Sequence, residues 1–79
     1  MYIYKRVIEK KVNGRYTAAG TETDAAMVAQ MFSNDMFSKI AGYSHVNRTT
    51  FDGYINSNGD HMVTVYYSND YRAKYYFSK

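Results

Sequence analysis

Residues 48–77 read RTTFDGYINSNGDHMVTVYYSNDYRAKYYF, and their alternation decides the fold. From Arg48 to Ile55, Thr49, Phe51, Gly53 and Ile55 fall on one parity and Arg48, Thr50, Asp52 and Tyr54 on the other. A period of two means a strand with one buried face. Asn56 to Asp60 is a turn, because Asn and Gly accept positive φ. His61 to Tyr67 is the next strand, Ser68-Asn69-Asp70 a second turn, and Tyr71 to Phe77 the last strand.

Requiring one continuous apolar face fixes the pairing. A two-residue turn at Asn69-Asp70 would put Val65 beside Lys74, whereas a three-residue turn pairs Val65 with Ala73 and Val63 with Tyr75. The second register is expected. The same test on the preceding hairpin pairs Phe51 with Val65 and Ile55 with His61 around a five-residue turn. The opposite face then carries Arg48, Thr50, Asp52, Tyr54, Met62, Thr64, Tyr66, Arg72, Lys74 and Tyr76. It is an aromatic and cationic plate, with Tyr66 set opposite Arg72 in cation–π geometry.

Working outward, Tyr2 to Val12 and Arg15 to Ala19 flank Asn13-Gly14, a strong hairpin signal. Either face of this hairpin can point inward, or a bulge shifts its phase midway. Gly20 is expected to let the chain leave the sheet. Thr21-Glu22-Thr23-Asp24 matches a capping box, with the Thr21 hydroxyl taking an orphan N–H and acids favouring the helix dipole. Ala25, Val28, Ala29, Phe32, Met36 and Ile40 follow at helical spacing, flanked by Met27, Met31 and Phe37. Ser33-Asn34-Asp35 weakens the helix midway, Gly42 is a stop, and Tyr43 is placed under the helix end. The class is α+β: one antiparallel sheet of about five strands, element order ββαβββ, with one helix on one face. One helix leaves the other face open.

Seventy-nine residues make a single domain spanning 1–79. With no cysteine there is neither a disulfide framework nor a thiolate zinc site, which suits a reducing, cytoplasmic compartment. No apolar run follows the N-terminal charges as a signal peptide would require, and none is long enough to span a membrane. The net charge of +3 is uneven: the basic excess lies in residues 1–16.

The plate residues Arg48, Tyr54, Tyr66, Arg72, Lys74 and Tyr76 are the leading candidate partner-binding site. Tyrosine and arginine are enriched at binding hot spots; the blander reading is that tyrosine is simply a good strand former. A basic patch of Lys5, Arg6, Lys10, Lys11 and Arg15 comes second, suited to phosphate or to an acidic protein. Its blander reading is an edge strand whose lysines block aggregation. His45 and His61 lack clustered carboxylates, and Asn56, Asn58 and Asp60 lack the bidentate acid that a calcium loop needs, Tyr67 standing at its position. Catalytic residues, metal ligands and cofactors are therefore all expected to be absent.

Two binding classes remain once an enzyme is set aside. One is a protein that covers another protein or a nucleoprotein complex with a rigid Tyr/Arg plate. The other is a nucleic-acid module that stacks bases on the tyrosines, although +3 is modest for counterion release and no RNP-type aromatic pattern occurs. A second copy of the chain is a third partner, since an open plate can pair with itself. The Asn13-Gly14 hairpin, the Thr21-to-Asp24 helix start and the tyrosine strands to Phe77, in a chain without cysteine or proline, are similar in build to small phage-encoded counter-defence proteins, the anti-CRISPRs. The likeness spans the chain and rests on no specific motif. It implies a stoichiometric inhibitor acting in the cytoplasm of a host cell, and carries over no functional residue.

Overall fold

The structure, a computed structural model, describes residues 2–41 and 45–79. Strands β1 (Tyr2–Val12), β2 (Arg15–Glu22), β3 (Arg48–Asp52), β4 (His61–Tyr66) and β5 (Tyr71–Ser78) form one antiparallel sheet in the order β2-β1-β5-β4-β3. The single helix α1 (Ala25–Ala41) lies between β2 and β3 in sequence. The order ββαβββ and the α+β class are as expected.

The β4–β5 pairing matches Val65 to Ala73 and Val63 to Tyr75, the register demanded by a continuous apolar face. Val65, Ala73 and Tyr75 are fully buried, and Val63, Tyr67 and Phe77 pack around them under Val28, Met31, Phe32 and Met36 of α1. Phe32 meets Tyr75 and Phe77 edge-on, at 5.1 and 5.2 Å between ring centres. Met27 and Phe37, on the margins of the helical stripe, are exposed.

The β3–β4 hairpin differs from its expected register. Phe51 pairs with Val63 and Thr49 with Val65, a slip of two residues that leaves each side chain from Arg48 to Asp52 on its expected face. The strand stops at Asp52, so residues 53–60 form the connection instead of a five-residue turn. Asn56 organises it. Its Oδ1 accepts the Asn58 and Asp60 amides at 3.0 and 3.3 Å, and its Nδ2 donates to Asp60 Oδ2 at 3.0 Å. These bonds satisfy the loop backbone locally, in competition with two more strand residues. They also hold the Asp60 carboxyl below its ordinary pKa, with help from the Tyr4 hydroxyl at 2.8 Å.

The N-terminal hairpin takes the bulged alternative. A register shift between Ile3 and Lys5 turns both Ile3 and Ile8 toward the helix, and a second lies between Ile8 and Glu9. Asn13 (φ 52°) and Gly14 (φ 80°) supply the two left-handed residues of the turn. Strand β1 is paired on both sides, so its lysines do not guard an edge. Gly20 does not end β2, which continues to Glu22.

The helix start also differs. Thr21 belongs to β2, and no acid lies in the first turn of α1. Asp24 is the cap: its Oδ1 accepts the Met27 amide at 3.1 Å, and its own amide donates to Glu22 at 3.3 Å. The helix runs unbroken through Ser33-Asn34-Asp35, because Asp35 faces the core and finds partners there. The expected stop at Gly42 and the packing of Tyr43 lie outside the described residues. Asp24→Ala should remove about 1 kcal/mol, lowering Tm by roughly 4–8 °C, while Thr21→Ala stays within about 0.5 kcal/mol. Thermal melts followed by circular dichroism check both.

Candidate functional site

The uncovered face of the sheet is built by register. Strand β1 contributes Lys5, Val7, Glu9 and Lys11; β5 contributes Arg72, Lys74 and Tyr76; β4 contributes Met62, Thr64 and Tyr66; β3 contributes Arg48, Thr50 and Asp52; and β2 contributes Tyr16. Five cations and two carboxylates share it.

Tyr16, Arg72, Tyr66 and Arg48 form a row across the sheet. The Arg48 guanidinium sits 3.7 Å from the centre of the Tyr66 ring, and Arg72 lies 5.9 Å from the same ring. Arg72 reaches over β1 to Tyr16, again 3.7 Å from the ring centre, and Lys11 Nζ is 5.0 Å from that ring. Toward the other end, Lys5 Nζ lies 4.4 Å over Tyr76, whose ring also meets Tyr4 at 6.3 Å. Tyr16, Tyr66 and Tyr76 therefore each carry a cation on the ring.

Glu9 is the central counter-charge. Its Oε1 accepts Arg72 Nε at 2.6 Å and lies 3.5 Å from Lys74 Nζ. Burial, the largest single influence, disfavours the charge on Arg72, yet the bonds to Glu9 and Tyr66 and the Glu9 charge together outweigh it and hold the guanidinium above its ordinary pKa. The Tyr76 hydroxyl is pushed up, first by burial and then by the Glu9 charge. None of the ion pairs among the described residues involves Lys5, Lys11 or Arg48.

A concavity of about 230 Å³ opens beside the row, lined by Lys11, Tyr16, Asn47, Arg48, Tyr66, Ser68, Asn69 and Arg72. The Asn47 amide donates to the Tyr66 carbonyl at 2.7 Å, and the Tyr16 hydroxyl donates to the Asn69 carbonyl at 3.0 Å. These bonds fix two of its walls.

Of the six expected plate residues, Arg48, Tyr66, Arg72, Lys74 and Tyr76 share the open face. Tyr54 does not join them. It falls beyond the end of β3 with φ 59°, is 73% exposed, and packs on His61 at 5.3 Å between ring centres. His61 and the Phe51 ring stacked on it belong to the helix-side parity, beyond the helix's reach.

The basic patch is likewise divided. Lys5 and Lys11 join the open face, Lys10 leans over Tyr71 at 5.9 Å, and Arg15 ends the turn. Arg6 points into the protein, where its Nε and Nη2 donate to the hydroxyls of Tyr75 and Tyr67, each at 3.1 Å. Those two hydroxyls both donate to Asp35 Oδ2 at 2.6 Å, and His45 Nε2 lies 2.7 Å from Asp35 Oδ1. Burial and the Asp35 bond push both phenols above their ordinary pKa.

Sequence reasoning passed over Tyr16 and Glu9 as site residues. The two-residue Asn13-Gly14 turn already places Tyr16 opposite Lys11. Nothing local signals that β1 lies beside β5, which brings Glu9 to Arg72. Among the described residues no group of three or more His, Cys, Asp and Glu could hold a metal ion, and no helix is long and apolar enough to cross a membrane. No protein-family model, curated protein or solved structure is significantly similar to this chain.

Proposed function

We propose that this is a small non-enzymatic binding protein whose open sheet face covers an acidic surface on a partner protein or nucleoprotein complex, in the manner of a stoichiometric inhibitor. One observation carries the reading: on Tyr16, Tyr66 and Tyr76 the rings are beds for the chain's own cations. Immobilising a long side chain on binding costs about 0.5–1.5 kcal/mol each. Cations already held on rings forgo much of that cost, so the face is prepared for carboxylates or phosphates. The same arrangement weighs against base stacking, which would first have to displace an arginine or lysine from each ring. The build-level likeness to phage counter-defence proteins agrees with such a role in a host cytoplasm.

Lys5 and Lys74 make the cleanest probes, since both lie on the face without lining the concavity. Lys5→Gln with Lys74→Gln should reduce capture of partner from a lysate of the source cells by about tenfold or more, through the loss of two cations facing it, while Arg72 still neutralises Glu9. Capture should also weaken as salt rises, and the melting temperature should stay within a few degrees. Undiminished capture by the double variant refutes the reading. A gel-shift titration that instead finds tight, salt-steep binding to single-stranded nucleic acid transfers the face to the other class.

A further inference from the structure

We propose that the concavity between Tyr16 and Arg48 is a phosphate site that takes a terminal phosphomonoester dianion. Its eight lining residues include three cations, Lys11, Arg48 and Arg72, and no carboxylate. Arg72 is neutralised by Glu9, which stands outside the lining. Lys11 and Arg48 have no such counter-ion among the described residues, leaving two positive charges on one small hollow. A phosphomonoester near neutral pH carries close to two negative charges and three strong acceptor oxygens. A carboxylate or a phosphodiester carries one, and would leave a cation unmatched.

The remaining wall chemistry is that of donors. Ser68 Oγ accepts the Asp70 amide at 3.1 Å, so its proton is free to point elsewhere. Asn47 and Asn69 complete the lining. Both guanidinium groups sit over tyrosine rings, 3.7 Å from the ring centres, so their positions are restricted before a ligand arrives. A forked guanidinium suits phosphate oxygens. The hollow, about 230 Å³ and half open to solvent, has room for a single phosphate group with the rest of its carrier left outside.

The site rests on the reading of the open face as the binding surface, yet the two fail separately. The test is a ¹H–¹⁵N chemical-shift titration of the full chain with phenyl phosphate. Dimethyl phosphate and sodium chloride at matched ionic strength serve as comparisons. Phenyl phosphate should give saturable shifts at Lys11, Ser68, Asn69 and Arg72, and affinity should fall as the second phosphate ionisation is lost near pH ~6. Lys11→Gln and Arg48→Gln should each weaken binding about tenfold, the loss expected for one charge-assisted contact.

Absent or unsaturable shifts overturn the site, as do equal shifts with chloride. Dimethyl phosphate binding as tightly as the monoester overturns the dianion match, and unchanged binding in both variants removes the cations from it. If capture still depends on Lys5 and Lys74 while phenyl phosphate leaves Lys11, Ser68 and Asn69 unmoved, the face survives and the phosphate site falls. Phosphate binding with capture indifferent to Lys5 and Lys74 has the opposite meaning.

Discussion

Asp35→Ala should cost about 3–5 kcal/mol, the loss expected when one partner of a buried charged cluster is removed. A chain of 79 residues has roughly 4–12 kcal/mol of stability in all, so the variant stands near the unfolding threshold. The carboxylate is 6% exposed and is the common acceptor for Tyr67, Tyr75 and His45. Without it, both phenol protons lose their acceptor, and Arg6 is left facing two hydroxyls with no negative charge behind them. Buried donors deprived of an acceptor bear their full desolvation penalty. The His45 bond also fixes the segment that leads through buried Val46 into β3, and hence the position of Arg48 on the open face. Asp35→Asn keeps the shape and one acceptor, and should lose about half as much. Urea denaturation at constant m checks both. A loss below about 1 kcal/mol for the alanine variant would show that the cluster does not hold the helix to the sheet.

The contrast between Arg72 and Lys74 changes how the open face should be probed. Both are natural choices for a binding mutation, yet Arg72 is tied to Glu9 at 2.6 Å and sits over Tyr16. Removing it would leave Glu9 half-desolvated with Lys74 as its remaining partner, so lost binding and lost packing would be confounded. Lys5 and Arg48 make no ion pair among the described residues and disturb less.

What was legible in the sequence followed from period and face. Val63, Val65, Ala73 and Tyr75 shared a parity, and only one register kept lysine off it, so β4–β5 was determined. Phe51 was ambiguous, because valines two residues apart, Val63 and Val65, satisfy the same parity test; loop hydrogen bonds from Asn56 decided between them. Tyr54 left the plate for the same reason, once the strand ended at Asp52. Arg6 was illegible for a different cause. A cation in a run of lysines reads as surface, and only the bulge at Ile3–Lys5 together with Asp35 across the sheet turns it inward. Asp35 did leave a signal: it lies seven residues after Val28, on the stripe that faces the core, where an acid demands partners.

The same cluster makes alkaline pH the second large lever on stability. The Tyr75 ring is fully buried, and its hydroxyl donates to a carboxylate, so burial and Asp35 both resist ionisation; the nearby Arg6 guanidinium favours it but is outweighed. The folded-state pKa is thus raised above the ordinary value of 10.0, and Tyr67 shifts in the same direction. A raised folded pKa means that the folded chain keeps a proton the unfolded chain releases. The stabilisation is complete below pH ~10 and drains away as pH rises above it. For Tyr75 alone the loss is at most about 1.36 kcal/mol for each pH unit above that. Stability measured by denaturant at about pH 9 and pH 12 should show this fall, accompanied by cooperative release of phenol protons on unfolding. Tyr75→Phe separates the contribution. At neutral pH it should cost about 1–3 kcal/mol, because Asp35 loses a donor and Arg6 an acceptor. Above pH ~10 the variant should lose correspondingly less than the parent, since one retained proton is gone. Identical alkaline losses in parent and variant would mean that the Tyr75 proton is not held by the fold, and the pairing of that hydroxyl with Asp35 would have to be given up.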